Sequence, residues 1–421
     1  APGIRKTFRK LYFKELANFF AITLGMKQDD AKLLAKEIRR SLLPLGITIG
    51  GADVYKAALV DFLPAHQKAC GYEEISEKLA ARAHDYAYGA ALDATDNATF
   101  QAMEALIHNL NTMNSRAGAQ VPFSSINYGT DTSPEGRMVM KNLLFATQEG
   151  LGNGETPIFP VQIFKVKEGV NYSEADYAKG VNYNEGDPNY DLFRLAMETS
   201  AKRLFPNFSF LDAPFNLQYY KPGDYNTEVA YMGCRTRVMG NVHDPEREVT
   251  CGRGNLSFTS INLPRLALLA KGNLDVFYRE LDSLTELVIR QLLHRFKIQC
   301  AKKGRNYPFL MGQRVWIDSE KIGPDDEIAE VLKHGTLSMG FIGLAECLKA
   351  LIGKHHGESE EAQALGLAIV GHMRRRMDEE AKRTGLNFTL LATPAEGLSG
   401  RFVRLDRKKF GEIEGVTDRD Y

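Results

Sequence analysis

A chain of 421 residues, 44% hydrophobic and 25% charged, is long enough to bury a large core and exceeds the usual size of one domain. Its 53 basic and 53 acidic residues cancel, which excludes a global field for nucleic acid or an anionic membrane, so a polyanionic ligand must be held locally. No apolar run approaches the roughly 18 residues a membrane span needs, and the basic start APGIRKTFRKLYFKEL lacks the apolar stretch of an export signal; a soluble, cytoplasmic protein is expected.

From Thr7 to about Thr112 the pattern is helical. Asp29 and Asp30 open a run in which Leu33, Leu34, Ile38, Leu42 and Leu43 fall near one face, and Pro44 ends it. A second helix follows Asp96, with Phe100, Met103, Ile107 and Leu110 on one stripe. Beyond Thr112 short β-prone runs alternate with helical ones: strands over Val121–Asn127, Ile158–Val166 and Leu256–Leu263, helices over Gly136–Glu149, Tyr190–Arg203 and Leu274–Lys302. That alternation predicts a parallel-rich α/β architecture. The polar stretch Val170–Pro188 reads as a surface excursion within it.

Five cysteines, Cys70, Cys234, Cys251, Cys300 and Cys347, lie far apart with no C-x-x-C pair, which argues against a disulfide framework and a Cys-rich zinc site and favours a reducing compartment. Nucleophile-elbow, phosphate-loop and zinc-protease motifs are absent. The glycines of GLGNGE (Gly150, Gly152, Gly154) follow a helix rather than a strand and precede Pro157, unlike a dinucleotide loop. Three segments carry polar chemistry, and the residues alone leave two readings of the first two. Cys234, in Met232-Gly233-Cys234-Arg235, suits an exposed loop tip, yet free cysteines are commonly small buried residues. The run Thr393-Pro394-Ala395-Glu396-Gly397 follows an apolar stretch and reads as a strand turning into a helix at Pro394, with free N–H groups and a hydroxyl for an anion, or as an ordinary capped helix. Asn114–Gln120, which contains Ser115, Arg116, Ala117, Gly118 and Gln120, joins a helix to a strand with a glycine and an arginine, and by itself reads as a connector with an exposed Arg.

The segment YMGCRTRVMGNVHDPEREVTCGRGNLSFTSINLPRLAL resembles the active-site loop of class III, anaerobic ribonucleotide reductases. The likeness extends in family order through SRAGAQVPFSSINYGTD, GLGNGETPIFPVQIFKVKEGVN, DPNYDLFRLAMETSAKR, GTLSMGFIGLAE and NFTLLATPAEGLSGRF, covering roughly Ser115 to Tyr421. It implies a ten-stranded α/β barrel with a helical N-terminal part, one catalytic core over 1–421 made of helical residues 1–112 and barrel residues 113–421. It implies that Cys234 carries a thiyl radical on an inward-pointing loop, that Met232 and Asn255 mark the formate-using branch, and that Thr393 to Gly397 hold substrate phosphates. The loop 115–120 would link an effector nucleotide to the substrate base.

The same resemblance implies reduction of ribonucleoside triphosphates with formate, ATP and deoxynucleotide effectors, a radical-SAM iron–sulfur activating enzyme, and a homodimer for which the helix 96–112 is a candidate interface. The family's glycyl-radical loop and its four-cysteine zinc site find no match, the string Lys68–Tyr72 lacking the required Arg-Val pair. An N-terminal regulatory domain is likewise unmatched, and Cys70, Cys251, Cys300 and Cys347 do not stand in the context of the family's second redox cysteine. Two rivals remain open: a glycyl-radical enzyme of the formate-lyase or diol-dehydratase kind, and a non-catalytic nucleotide-binding barrel.

Overall fold

The computed structural model describes residues 2–46, 48–66, 75–114, 121–173, 187–233, 236–247 and 249–420. The chain forms two compact units, one built on Ala1–Gln218 and the other on Tyr219–Met232 and Thr236–Tyr421.

The first unit begins with helices α1 (Pro2–Thr23), α2 (Gln28–Leu42), α3 (Ala52–His66) and α4 (Glu77–Thr112). On α1 the large side chains Phe8, Tyr12, Leu16 and Phe20 recur every fourth residue and are fully buried. On α4 the equally buried Ala80, Ala83, Ala87 and Ala91 form a stripe of small residues, so a ridge of large groups meets a shallow groove. The helix expected after Asp96 is the second half of α4, whose start is capped by Ser76 accepting the Leu79 N–H. On α2 the buried stripe is Leu34, Ile38 and Leu42; Leu33 is 61% exposed and Leu43 falls in a following 3-10 turn, because a 3.6-residue repeat cannot turn both members of an adjacent pair inward.

His84 lies inside this helical core, its Nδ1 2.9 Å from the Tyr12 hydroxyl and its ring stacked on Tyr88. Burial holds the imidazole neutral and lowers its pKa to about 4. The unfolded chain takes up this proton near pH 6.5, so stability is fully present above that value and falls as pH drops toward 4, by up to roughly 1.4 kcal/mol per pH unit. Urea denaturation across this window should show that slope. His84→Leu should flatten it while lowering overall stability, since the Tyr12 hydroxyl loses its partner; an unchanged slope would remove His84 as the cause.

The same unit holds a parallel sheet of β1 (Ser125–Tyr128), β2 (Val161–Val166) and β3 (Asn207–Phe210), in that order. Helix α5 (Pro134–Glu149) connects the first pair and α6 (Tyr190–Arg203) the second. Ser133 caps α5 and Pro134 occupies its first turn. Gly150, with φ +76°, ends α5, so GLGNGE is the exit of a helix. Of the polar stretch 170–188, residues 174–186 lie outside the described residues.

The second unit holds a hairpin, β4 (Ala230–Met232) with β5 (Thr236–Val238), and a parallel sheet of β6 (Asn255–Asn262), β7 (Thr336–Ile342) and β8 (Asn387–Ala392). Leu263, expected to close β6, instead opens helix α7 (Leu263–Ala270), capped by Asn262 accepting the Arg265 N–H. Helices α8 (Leu274–Cys300), α9 (Leu344–Ile352) and α10 (Glu360–Thr384) cover one face of the sheet. There Leu337, Met339 and Phe388 from the strands meet Leu281, Ile289, Leu292, Met373 and Met377. Helix α11 (Glu396–Phe410) follows β8. Among the described residues there are eight strands. The fold is mixed α/β with a helical N-terminal part.

Candidate functional site

The helix-covered face of β6–β7–β8 is apolar, so its alternate residues define the other face. Parallel partners point to the same side, and β7 places Thr336, Ser338 and Gly340 there while Leu337 and Met339 face the helices. On β8 Thr389 joins them, its hydroxyl 2.9 Å from that of Ser338. On β6, Ser260 Oγ lies 2.7 Å from Thr393 Oγ1. These side chains of the sheet face offer hydroxyls and amides but no group that titrates near neutral pH.

Asn255 reaches this face through an irregularity. Asn255 pairs with Thr336 while Ser257 pairs with Leu337, so two residues of β6 oppose one of β7. A β-bulge of this kind reverses the alternation, and Asn255 joins the hydroxyl face rather than the side of Ser257 and Thr259, which bind Arg295 of α8. Asn255 and Ser260 are five residues apart, roughly 16 Å along a strand at about 3.3 Å per residue. Asn255 and Thr393 therefore stand toward opposite ends of one face, a span on the scale of a nucleotide rather than of a hydrogen bond.

The turn after β8 departs from expectation. Helix α11 begins at Glu396, so Pro394 lies ahead of the helix instead of in its first turn, and Ala395 provides no side-chain cap. The Thr393 hydroxyl, expected to be open to an anion, is paired with Ser260, and its N–H continues the sheet by donating to the Phe341 carbonyl. The strand runs one residue longer than its apolar pattern because its last backbone donor finds a β7 partner. Thr393 and Ala395 are half-buried and Pro394 and Gly397 exposed; the Glu396 side chain lies outside the described residues.

Asp406 of α11 is buried and ties the helix to the end of β6: Asn262 Nδ2 donates to one carboxylate oxygen at 2.8 Å and Arg265 Nε to the other at 2.5 Å. Asp406→Ala leaves both donors without their acceptor and should cost about 2 kcal/mol. The check is a denaturant midpoint with an unchanged m-value; a change below a few tenths would show the pairing to be dispensable.

In the hairpin, Met232 pairs with Thr236. Gly233 has φ +61°, where a side chain is strained, and, grouped with the first unit, its N–H donates to Ser125 Oγ at 3.0 Å. Met232 is half-buried. Cys234 lies outside the described residues, as do Ser115, Arg116, Ala117, Gly118 and Gln120 of the proposed signalling loop and Cys70. Of the described cysteines, Cys251 is exposed, and burial pushes the Cys300 and Cys347 thiols up, the opposite of an activated thiolate. Among the described residues no group of three or more His, Cys, Asp or Glu is placed to hold a metal ion, and no helix is long and apolar enough to cross a membrane.

Local sequence patterns do not reveal a polar cluster at the N-terminal end of these parallel strands, in which His334, Asn241 and Asn387 are buried. His334 precedes β7, Asn387 opens β8, and Asn241 and Arg247 belong to the segment between the hairpin and β6. Asn241 Nδ2 lies 2.9 Å from His334 Nδ1, Asn387 Nδ2 donates to Asn241 Oδ1 at 3.1 Å, and His334 Nε2 is 3.1 Å from Asp318 Oδ2. Arg247 grips Asp318 with two bonds of 2.9 and 2.6 Å, and this guanidinium holds the carboxyl well below the usual carboxylate range. Polar residues scattered over nearly 150 positions give no local sequence signal. The only hint was the density of Asn, His, Asp and Arg in GNVHDPER.

The α/β fold, with its parallel sheets and helical start, is that of the anaerobic ribonucleotide reductases. A solved structure from Thermotoga maritima, described with citrate in the active site, aligns over 98% of this chain and 78% of its own with a TM-score of 0.51 at 13% identity. A second from that organism, with glycerol in the active site, gives 0.50 over 96% and 69% at the same identity. The family described as anaerobic ribonucleoside-triphosphate reductase matches residues 20–421, and the chain belongs to it. It is 36% identical over 326 residues to the anaerobic ribonucleoside-triphosphate reductase of Haemophilus influenzae, covering 76% of this chain and 43% of that protein. With the protein of that name from Escherichia coli it shares 33% over 339 residues, 80% and 45%. The bacteriophage T4 protein shares 32% over 338 residues, 79% and 51%. The chain thus spans about half the length of the curated relatives it matches.

Proposed function

We propose that the chain is the catalytic core of an anaerobic ribonucleoside-triphosphate reductase, residues 1–421 contributing to one ten-stranded α/β barrel. The observation that carries this reading is the bulge that turns Asn255 onto the hydroxyl face where Thr393 also stands, at the two ends of a nucleotide-sized span. Substrate phosphates bind at the turn Thr393, Pro394, Ala395, Glu396 and Gly397, where the first N–H groups of α11 have no partner within the helix. Neutral net charge favours such a local phosphate site.

A glycyl radical in a segment of the longer protein, whose zinc site is also outside this sequence, supplies a hydrogen-atom acceptor. Cys234 gives up its S–H hydrogen, and the resulting thiyl takes the 3′ hydrogen of the ribose. S–H and C–H bonds of comparable strength make that exchange reversible. Asn255 hydrogen-bonds the reacting ribose end, and the 2′-hydroxyl takes up a proton and leaves as water. Formate, favoured by Met232 and Asn255, gives up two electrons and a proton that complete the C2′–H bond and leaves as carbon dioxide. Cys234 returns its hydrogen to C3′ and is again a thiyl. A face without titratable side chains suits chemistry in which hydrogen atoms move at the cysteine.

The reading further assigns Ser115, Arg116, Ala117, Gly118 and Gln120 to coupling between ATP or deoxynucleotide effectors and the substrate base. A homodimer forms through the second half of α4, a radical-SAM iron–sulfur enzyme installs the radical, and the protein works in the cytoplasm. The test is anaerobic incubation of the full-length, activated protein with a ribonucleoside triphosphate and isotopically labelled formate. Deoxynucleotide and labelled carbon dioxide should appear in equal amounts. Turnover undiminished without formate would remove the reductant assignment, and binding without turnover would select a scaffold.

A further inference from the structure

We infer that His334 is a positioning residue for the cysteine-bearing hairpin, acting as the neutral Nε2–H tautomer in a hydrogen-bond chain whose direction is fixed throughout. The inference rests on the reading of Cys234 as the radical site.

The direction follows from one donor that cannot be reversed. The backbone N–H of Val242 donates to Asn387 Oδ1 at 2.8 Å, so the other end of that amide is its NH2. That NH2 donates to Asn241 Oδ1 at 3.1 Å and to the Lys333 carbonyl at 3.1 Å. Asn241 therefore presents its own NH2 to His334 Nδ1, which must accept. The ring proton then sits on Nε2 and donates to Asp318 Oδ2 at 3.1 Å.

The same residue closes the loop between hairpin and β6 at both ends. Asn241 and Val242 lie just after β5, and Arg253, two residues before Asn255, donates Nε to the His334 carbonyl at 3.0 Å. One side chain and its own carbonyl thus fix where the arm leaves the hairpin and where it enters the strand that carries Asn255.

A proton added at Nδ1 would face the Asn241 NH2. Rotating Asn241 would set its NH2 against that of Asn387, and rotating Asn387 would set its NH2 against the Val242 N–H, so no amide flip repairs the chain. The charged and titratable groups around the ring are Asp318 with Arg247 and Lys321 on it, His243 edge-on at 4.9 Å, Arg253 at the carbonyl, and the neighbouring Lys333–Glu330 pair. Asp318 favours the imidazolium, while burial, the Arg247 charge and His243 oppose it, and burial dominates, so the ring is held neutral.

The experiment uses the chain with 15N-labelled histidine. At about pH 7.5, well above an ordinary histidine pKa, His334 should show a protonated Nε2 and a bare Nδ1; a protonated Nδ1 overturns the inference. Asn387→Asp keeps the oxygen that accepts from the Val242 N–H but puts an acceptor where the NH2 donated to Asn241, so the Asn241 amide must turn over and the ring proton of His334 must move to Nδ1, which the 15N shifts read directly. His334→Gln, neutral at all pH values, should leave the Val242 amide protected from hydrogen exchange. An unchanged His334 tautomer in Asn387→Asp also overturns it. In the activated full-length enzyme, wild-type turnover should fall as pH drops from about 7.5 to about 5.5, and His334→Gln should remove the part of that fall due to this ring; an identical profile in both shows that His334 does not position the reacting hairpin. The tautomer and exchange readouts involve no turnover, so their failure leaves the Cys234 assignment standing. An active Cys234→Ser would instead remove that assignment and leave the tautomer intact.

Discussion

Cys234→Ser is expected to abolish deoxynucleotide formation, by at least a thousandfold or about 4 kcal/mol in the barrier, while the dissociation constant for the ribonucleoside triphosphate stays within about twofold. Serine preserves the size and polarity of the side chain. What changes is the bond: an O–H hydrogen is held far more strongly than an S–H hydrogen, so radical transfer onto oxygen is steeply uphill. Binding is spared because the phosphates are assigned to the turn after β8. The measurement pairs anaerobic turnover of the full-length, activated protein with calorimetric binding of the triphosphate. Wild-type turnover in the variant would end the thiyl mechanism, whereas loss of both turnover and binding would point to a structural cysteine.

Gly340→Ala should weaken triphosphate binding at least tenfold, about 1.4 kcal/mol, without unfolding the chain. A Cβ at this position would sit 2.1 Å from Thr393 Oγ1 and 2.6 Å from Ser260 Oγ, distances that no real Cβ contact sustains. The Thr393 backbone cannot yield easily, since its N–H is bonded to Phe341 O at 3.0 Å. Relief must come from parting the two hydroxyls and tilting the start of α11, which is the proposed phosphate site. The helix-facing side chains Leu337 and Met339 are untouched, so far-UV circular dichroism should be unchanged. Gly89→Ala is the control: it lies within α4, a Cβ there meets nothing within 4 Å, and the change should be neutral or slightly stabilising. Wild-type binding in Gly340→Ala would separate the turn at Thr393 from the ligand.

The sequence by itself determined the helical start and the alternation of strands and helices. These are local properties: a 3.6-residue repeat or an alternating run is written in neighbouring residues. The family resemblance, carried by linked motifs, reached further and named Met232, Asn255 and the turn at Thr393 as the residues to examine.

Only the tertiary structure decided how Asn255 is aimed. On β6 alone, alternation groups Asn255 with Ser257 and Thr259 on the side of α8, and the bulge that reverses it exists only in the pairing with β7. The start of α11 was misplaced for the same kind of reason, because Thr393 is drawn into the sheet by the Phe341 carbonyl of another strand. The alanine stripe of α4 gained its meaning from the aromatic ridge of α1, and His334 from Asn241, Asn387 and Asp318. Register, packing partners and buried hydrogen-bond chains belong to pairs of distant segments, and one segment read alone does not contain them.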